Sequence, residues 1–273
     1  MVKGIRAVRE IGAREYKVML NHRAFAEPDR AVEGFRGELE ELARGEGVTM
    51  KENFEPEHAR WIVFLDTVDW ALYHTGRVLR QRQSRKAGRT ELTLKFMTPD
   101  RFFSVTAYVR PSTTKRATTK LEEDIGAPFQ SRFAHSSTIT ARRGTLDTGA
   151  TLANAIAAFP GLKDVRTNPR RLDSATPLLR VNDLRAFETV FTGPRVVLGG
   201  RKATLAVILW TERPKGPPLV AEFSFRYTVD PEGVTGGTAT EAYGFYMKVQ
   251  RMDWVRPSGT TKTQYVYRTG PNQ

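Results

Sequence analysis

The chain has 273 residues, 40% of them hydrophobic and 10% aromatic, and it contains no cysteine. That length and composition suit a folded protein with a sizeable core, and the lack of cysteine excludes disulfides, thiolate metal sites and a cysteine nucleophile. The formal net charge is +13, and no apolar run approaches the roughly 18 uncharged residues of a membrane-crossing helix.

The first residues, MVKGIRAVREIG, show no apolar signal core, so a cytoplasmic protein without a membrane role is expected. From Arg77 to Lys120 there are twelve basic residues and two acids, so this segment alone supplies +10 of the +13. A partner carrying several negative charges is expected, a polyphosphate or a nucleic-acid backbone.

The first periodic segment is Glu15–Leu20. Glu15, Lys17 and Met19 share one face of an alternating strand, and Tyr16, Val18 and Leu20 the other. Residues 31–43 read as a helix with Val32, Phe35, Leu39 and Leu42 on its apolar stripe, ended by Gly45 and Gly47. Trp61–Leu65 is a buried strand. Asp66 or Asp69 then caps a short helix through Tyr73, closed by Gly76. Val78–Arg82 and Leu92–Phe96 pair around a Lys86-Ala87-Gly88 turn. Phe103–Arg110 reads as another strand. Lys120–Ile125 places Lys120, Glu122 and Asp124 on one face.

Residues 149–159 read as a helix stopped by Pro160, and 160–185 as an insertion or long connection within a single domain spanning 1–273. Arg195–Leu198 and Thr204–Trp210 form a hairpin over Gly199-Gly200. In Val220–Tyr227, Val220, Glu222, Ser224 and Arg226 face one way and Ala221, Phe223, Phe225 and Tyr227 the other. Thr238-x-x-Glu241 reads as a capping box opening a helix. A last strand is expected over Lys262–Tyr267.

Several strands therefore pair an apolar face with a charged one. If helices cover the apolar faces, the charged faces line an enclosed site, and buried charges of both signs need partners or a ligand. Phosphates with a divalent cation would satisfy both signs. There is no Walker A or G-x-G-x-x-G loop, and His22, His58, His74 and His135 have no metal-ligand spacing.

The stretch FLDTVDWALYHTGRVLRQRQ (residues 64–83) followed by ELTLK (residues 91–95) resembles the signature of the CYTH superfamily, the triphosphate tunnel metalloenzymes. The family pattern is Y-x-D-T, a helix ending in Gly, an L-R-x-R strand and a T-L-K strand. An N-terminal E-x-E-x-K strand, a basic-then-acidic middle strand, a late E-x-E strand and a C-terminal Lys complete it, in the order seen here from residue 13 to about 267. The resemblance implies an α+β fold, a closed eight-stranded antiparallel β-barrel or tunnel with helices packed outside.

By position the resemblance assigns the catalytic roles to Glu15, Lys17 and Glu222, and substrate binding to Lys17, Arg80, Arg82, Lys95, Lys120, Arg226 and Lys262. It gives Mg²⁺ or Mn²⁺ to Glu15, Glu122, Asp124 and Glu222. The sequence departs from the family at Ala13 and Ser224, each standing where a Glu belongs. The implied activity is metal-dependent hydrolysis of an inorganic or organic triphosphate. The alternatives are a class IV-type adenylyl cyclase and a non-catalytic protein binding polyphosphate or RNA 5′-triphosphate. A triphosphate-containing small molecule is the expected partner, with nucleic acid less favoured.

Overall fold

The structure, a computed structural model, describes residues 10–84, 89–146, 149–167, 170–230, 232–256 and 260–268. The Lys86-Ala87-Gly88 turn lies outside them. In chain order the elements are β1 (Ala13–Leu20), α1 (Pro28–Gly45), β2 (Met50–Lys51), β3 (Glu55–Asp66), α2 (Ala71–His74), β4 (Arg77–Ser84) and β5 (Arg89–Thr98). They continue as α3 (Arg101–Thr106), β6 (Ala117–Gly126), β7 (Gln130–Arg142), α4 (Leu152–Ala158), β8 (Arg166–Thr167) and β9 (Arg170–Arg171). The last are β10 (Leu179–Leu198), β11 (Arg201–Thr211), β12 (Pro218–Thr228), α5 (Gly236–Val249) and α6 (Lys262–Arg268).

The strands hydrogen-bond in the order β11-β12-β1-β6-β7-β5-β4-β3-β10-β2, and β11 also pairs with β10. That extra pairing closes the ladder into a nine-stranded β-barrel, with β2 added at the side of β10. The expectation was eight strands, all antiparallel. A closed ring of nine cannot alternate direction all the way round, so at least one neighbouring pair is parallel and the sheet is mixed.

Two compact units make up the chain. Of the described residues, the first holds 10–12 and those within 63–123 and 132–184. Here β4, β5 and β7 pair antiparallel, with Leu79 opposite Leu94, and Leu92 opposite Ile139. Those side chains join Leu72 of α2 and Leu152, Ala155 and Phe159 in one apolar core. The sequence 160–185 contains a 3-10 turn, the antiparallel pair β8 and β9, and the start of β10.

Of the described residues, the second unit holds those within 13–62, 124–131 and 185–268. Here β12 lies between β1 and β11, in antiparallel register with both. Tyr16, Val18 and Leu20 of β1 and Phe223, Phe225 and Tyr227 of β12 pack with Phe35 and Leu39 of α1 and Phe245 and Tyr246 of α5. The Tyr16 and Phe225 rings stack at 4.5 Å, a close offset contact worth about 1 kcal/mol beyond burial. Helices thus cover the apolar face of this sheet, as the alternation requires.

Two expected strands are helices. Phe103–Arg110 begins inside α3, because the Asp100 carboxylate accepts the Phe103 N–H at 2.7 Å and caps the helix. Lys262–Tyr267 is α6. The Thr261 hydroxyl accepts the Gln264 N–H at 3.2 Å and the Gln264 side chain accepts the Thr261 N–H at 2.9 Å, a reciprocal capping box. The box expected at Thr238 and Glu241 is displaced. The cap is Thr235, whose hydroxyl accepts the Thr238 N–H. The Thr238 hydroxyl donates to the Gly199 carbonyl and Glu241 accepts the Gly199 N–H, so both side chains tie α5 to the β10–β11 turn.

Candidate functional site

In the second unit the charged face of β1 and β12 is built by register. Glu15 stands opposite Arg226, Lys17 opposite Ser224, and Met19 opposite Glu222. Directly opposed residues share a face of the sheet, so these six lie together on the side away from α1 and α5. Lys17 is the hub. Its Nζ lies 2.8 Å from Glu15 Oε2 and 3.0 Å from Asp124 Oδ1. Lys262, at the first turn of α6, places its Nζ 2.8 Å from Glu222 Oε1. Only 4% of the Glu222 side chain is accessible.

These charges hold one another's protonation states. Burial alone would push Glu15 up, but the Lys17 ammonium beside it outweighs that and keeps the carboxyl below its ordinary value. Burial alone would push Lys17 down, but Asp124, Glu15 and Glu222 around it raise it instead. The Glu15–Lys17 pair therefore stays ionised as carboxylate and ammonium through neutral pH.

The backbone beneath this face is fixed from behind. The Tyr246 hydroxyl, on α5, donates to the Lys17 carbonyl at 2.8 Å. Burial, with Glu222 nearby, raises the Tyr246 pKa, so the hydroxyl keeps its proton. Lys262 is also placed by an aromatic ring, its Nζ lying 5.8 Å from the centre of Trp210. The Trp210 indole N–H donates to Glu188 Oε2 at 2.9 Å, and Arg60 Nε donates to Glu188 Oε1 at 2.8 Å. Glu188 is fully buried. Sequence reasoning singled out none of Tyr246, Trp210, Glu188 and Arg60 as site residues. For Trp210 the signal in the sequence was the alternation of Thr204–Trp210, which puts it on the face of Ile208; the register then sets Ile208 opposite Glu222.

The first unit carries a second charged face. Arg80 stands opposite Thr93, Arg82 opposite Glu91, and Lys95 opposite Ser136. Thr93 and Thr138 are joined through their hydroxyls at 2.9 Å. On β6, Lys120 Nζ lies 2.7 Å from Glu122 Oε2. The Asp-Thr of the signature stretch has a structural task here. Asp66, fully buried, accepts the N–H groups of Thr67 at 2.8 Å, Leu72 at 2.9 Å and Tyr73 at 3.0 Å. Three bonds to one carboxylate fold the chain from β3 into α2 and so set where β4 begins. Gly76 follows at φ 75°, where an added Cβ would come within 3.3 Å of the Met97 carbonyl.

Of the predicted site residues, Glu15, Lys17, Asp124, Glu222, Arg226 and Lys262 fall in the second unit, and Arg80, Arg82, Lys95, Lys120 and Glu122 in the first. The four carboxylates given to a metal are each within 3.0 Å of a lysine ammonium. Among the described residues no three acidic or imidazole side chains converge as a metal cage. Ala13 and Ser224, the two departures from the family pattern, are buried positions without a charge to offer. As arranged, these residues do not fit a divalent cation.

No family model matches the sequence, and no curated protein is similar to it. Solved structures are. One is a putative adenylyl cyclase from Hippeastrum with a dominant triphosphatase activity, at 12% identity over 94% of this chain and 95% of that one, TM-score 0.47. Putative adenylate cyclases from Bacillus halodurans (12% identity, 93% and 98% covered, TM-score 0.39) and Vibrio parahaemolyticus (11%, 88% and 87%, TM-score 0.33) are also similar.

Proposed function

We propose that this chain is a divergent CYTH-type protein that binds and hydrolyses a triphosphate compound. The observation that carries the reading is the hub around Lys17. A lysine, a carboxylate of its own strand, a second carboxylate from β6 and the Lys262–Glu222 pair share one sheet face. That face is turned away from α1 and α5, and α6 brings Lys262 onto it.

Lys17, Lys262 and Arg226 are the phosphate-binding candidates in the second unit, and Arg80, Arg82, Lys95 and Lys120 those in the first. Fixed cations of this kind stabilise charge on the equatorial oxygens of a phosphoryl group in flight. Water attacks the terminal phosphorus in line, the anhydride P–O bond breaks, and orthophosphate leaves with the shortened phosphate. Glu15 and Glu222 hold the two lysines in place and are the carboxylates at hand to take the water's proton. No protein nucleophile is required.

A non-catalytic polyphosphate binder is the second reading, favoured by the missing carboxylates at Ala13 and Ser224. Phosphate release from inorganic triphosphate, ATP and thiamine triphosphate tests the first reading, with and without Mg²⁺ or Mn²⁺. Turnover no higher than that of a Glu15→Ala, Glu222→Ala double variant removes it. Cyclic AMP from ATP would move the assignment to a cyclase.

A further inference from the structure

We infer that Lys17 takes the place of a divalent cation, so that the second unit binds the phosphates of its ligand without a metal. The inference rests on the proposed reading of this face as a phosphate site and concerns how that site is neutralised.

Charge on the face decides it. Glu15, Asp124 and Glu222 supply three negative charges, and Lys17, Lys262 and Arg226 three positive ones. A face built to hold a dication carries more carboxylates than cations, and the metal makes up the difference. Here the balance is already zero. Ala13 and Ser224 have no ionisable side chain, so neither position adds a charge.

Geometry agrees. The Lys17 ammonium sits 2.8 Å from Glu15 Oε2 and 3.0 Å from Asp124 Oδ1, bridging two carboxylates as a cation would. For Mg²⁺ to enter, it would have to displace that ammonium and bring the two oxygens to about 2.1 Å from itself. The displaced ammonium would lose both partners in a half-buried position. An ammonium has three donors. Two meet Glu15 and Asp124, which leaves one for a phosphate oxygen.

The test is calorimetric titration of the whole chain with inorganic tripolyphosphate, once in excess EDTA and once in Mg²⁺. A titration with Mn²⁺ alone accompanies it. Binding in EDTA is expected, with an affinity within about threefold of that in Mg²⁺, and no heat of Mn²⁺ binding. Lys17→Met should weaken the EDTA binding by about tenfold or more, the loss of one charged hydrogen bond. Circular dichroism reports whether the variant folds. Binding that appears only after Mg²⁺ or Mn²⁺ is added overturns the inference and leaves the triphosphate reading standing. No binding under either condition overturns both.

Discussion

Lys17 Nζ lies 3.0 Å from Asp124 Oδ1, so a lysine of β1 and a carboxylate of β6 are locked together on the charged face of the second unit. Glu15 adds a second carboxylate at 2.8 Å. Removing the ammonium leaves two carboxylates facing each other with little water. Lys17→Met should therefore cost about 3 kcal/mol of stability, the usual penalty for stranding a partly buried partner. Glu15→Gln should cost less, and the double variant less than the sum of the two, because the second change removes a charge the first one stranded. Urea unfolding of the four proteins checks this. Additive losses would show that the two side chains do not act as a pair.

The same pair sets a pH dependence. Glu15 titrates below its ordinary value of 4.5 in the folded chain. As pH falls, the unfolded chain therefore takes up the proton first. The stabilisation is complete above 4.5 and is lost as pH falls through the folded-state value. Lys17 acts at the other end. Its raised pKa keeps its contribution whole below 10.5, and it is lost only in strong alkali. The stability difference between the native chain and Glu15→Gln should be flat from about pH 6 to pH 9 and shrink in acid. A difference that persists unchanged to pH 3 would contradict this.

Asp66 is the signature residue whose work is folding. Its carboxylate accepts three backbone N–H groups and is fully buried. Asp66→Ala should destabilise by about 2 kcal/mol or more. Tripolyphosphate affinity, measured well below the melting temperature, should be unchanged. A variant with native stability and lost binding would move Asp66 into the site.

Arg80 and Arg82 make the opposite prediction. They lie on the face of β4 away from the Leu79 and Leu92 core, so Arg80→Gln and Arg82→Gln should leave the fold intact. Each should lower affinity for tripolyphosphate by about tenfold and flatten its dependence on salt. Unchanged affinity in both would show that the first unit's face does not bind tripolyphosphate.

Much of this was legible in the sequence, because alternation fixes faces. The period of two alone puts Glu15 and Lys17 on one face of β1, and Glu222 and Arg226 on one face of β12 with Phe223 and Phe225 opposite; the register joins the two charged faces. The strand β7 was not legible. Its sequence, QSRFAHSSTITAR, places Ser, Thr and Ala where a core-facing strand usually carries large apolar groups, so its hydrophobic signal is weak. The helix α6 was misread as a strand because Thr263, Tyr265 and Tyr267 alternate. The decisive signal, Thr261-x-x-Gln264, lay one residue earlier. Alternation showed Glu15 beside Lys17, but not the Lys17–Asp124 and Lys262–Glu222 pairs, which form only through the folding of distant segments.

The central claim is that the Lys17 face serves phosphoanhydride chemistry. Phosphate release from inorganic triphosphate, comparing the native chain with Glu15→Ala, Glu222→Ala, tests it most directly. The account predicts turnover by the native chain that the double variant loses, while circular dichroism shows both to be folded. Equal release from the two folded proteins would contradict it.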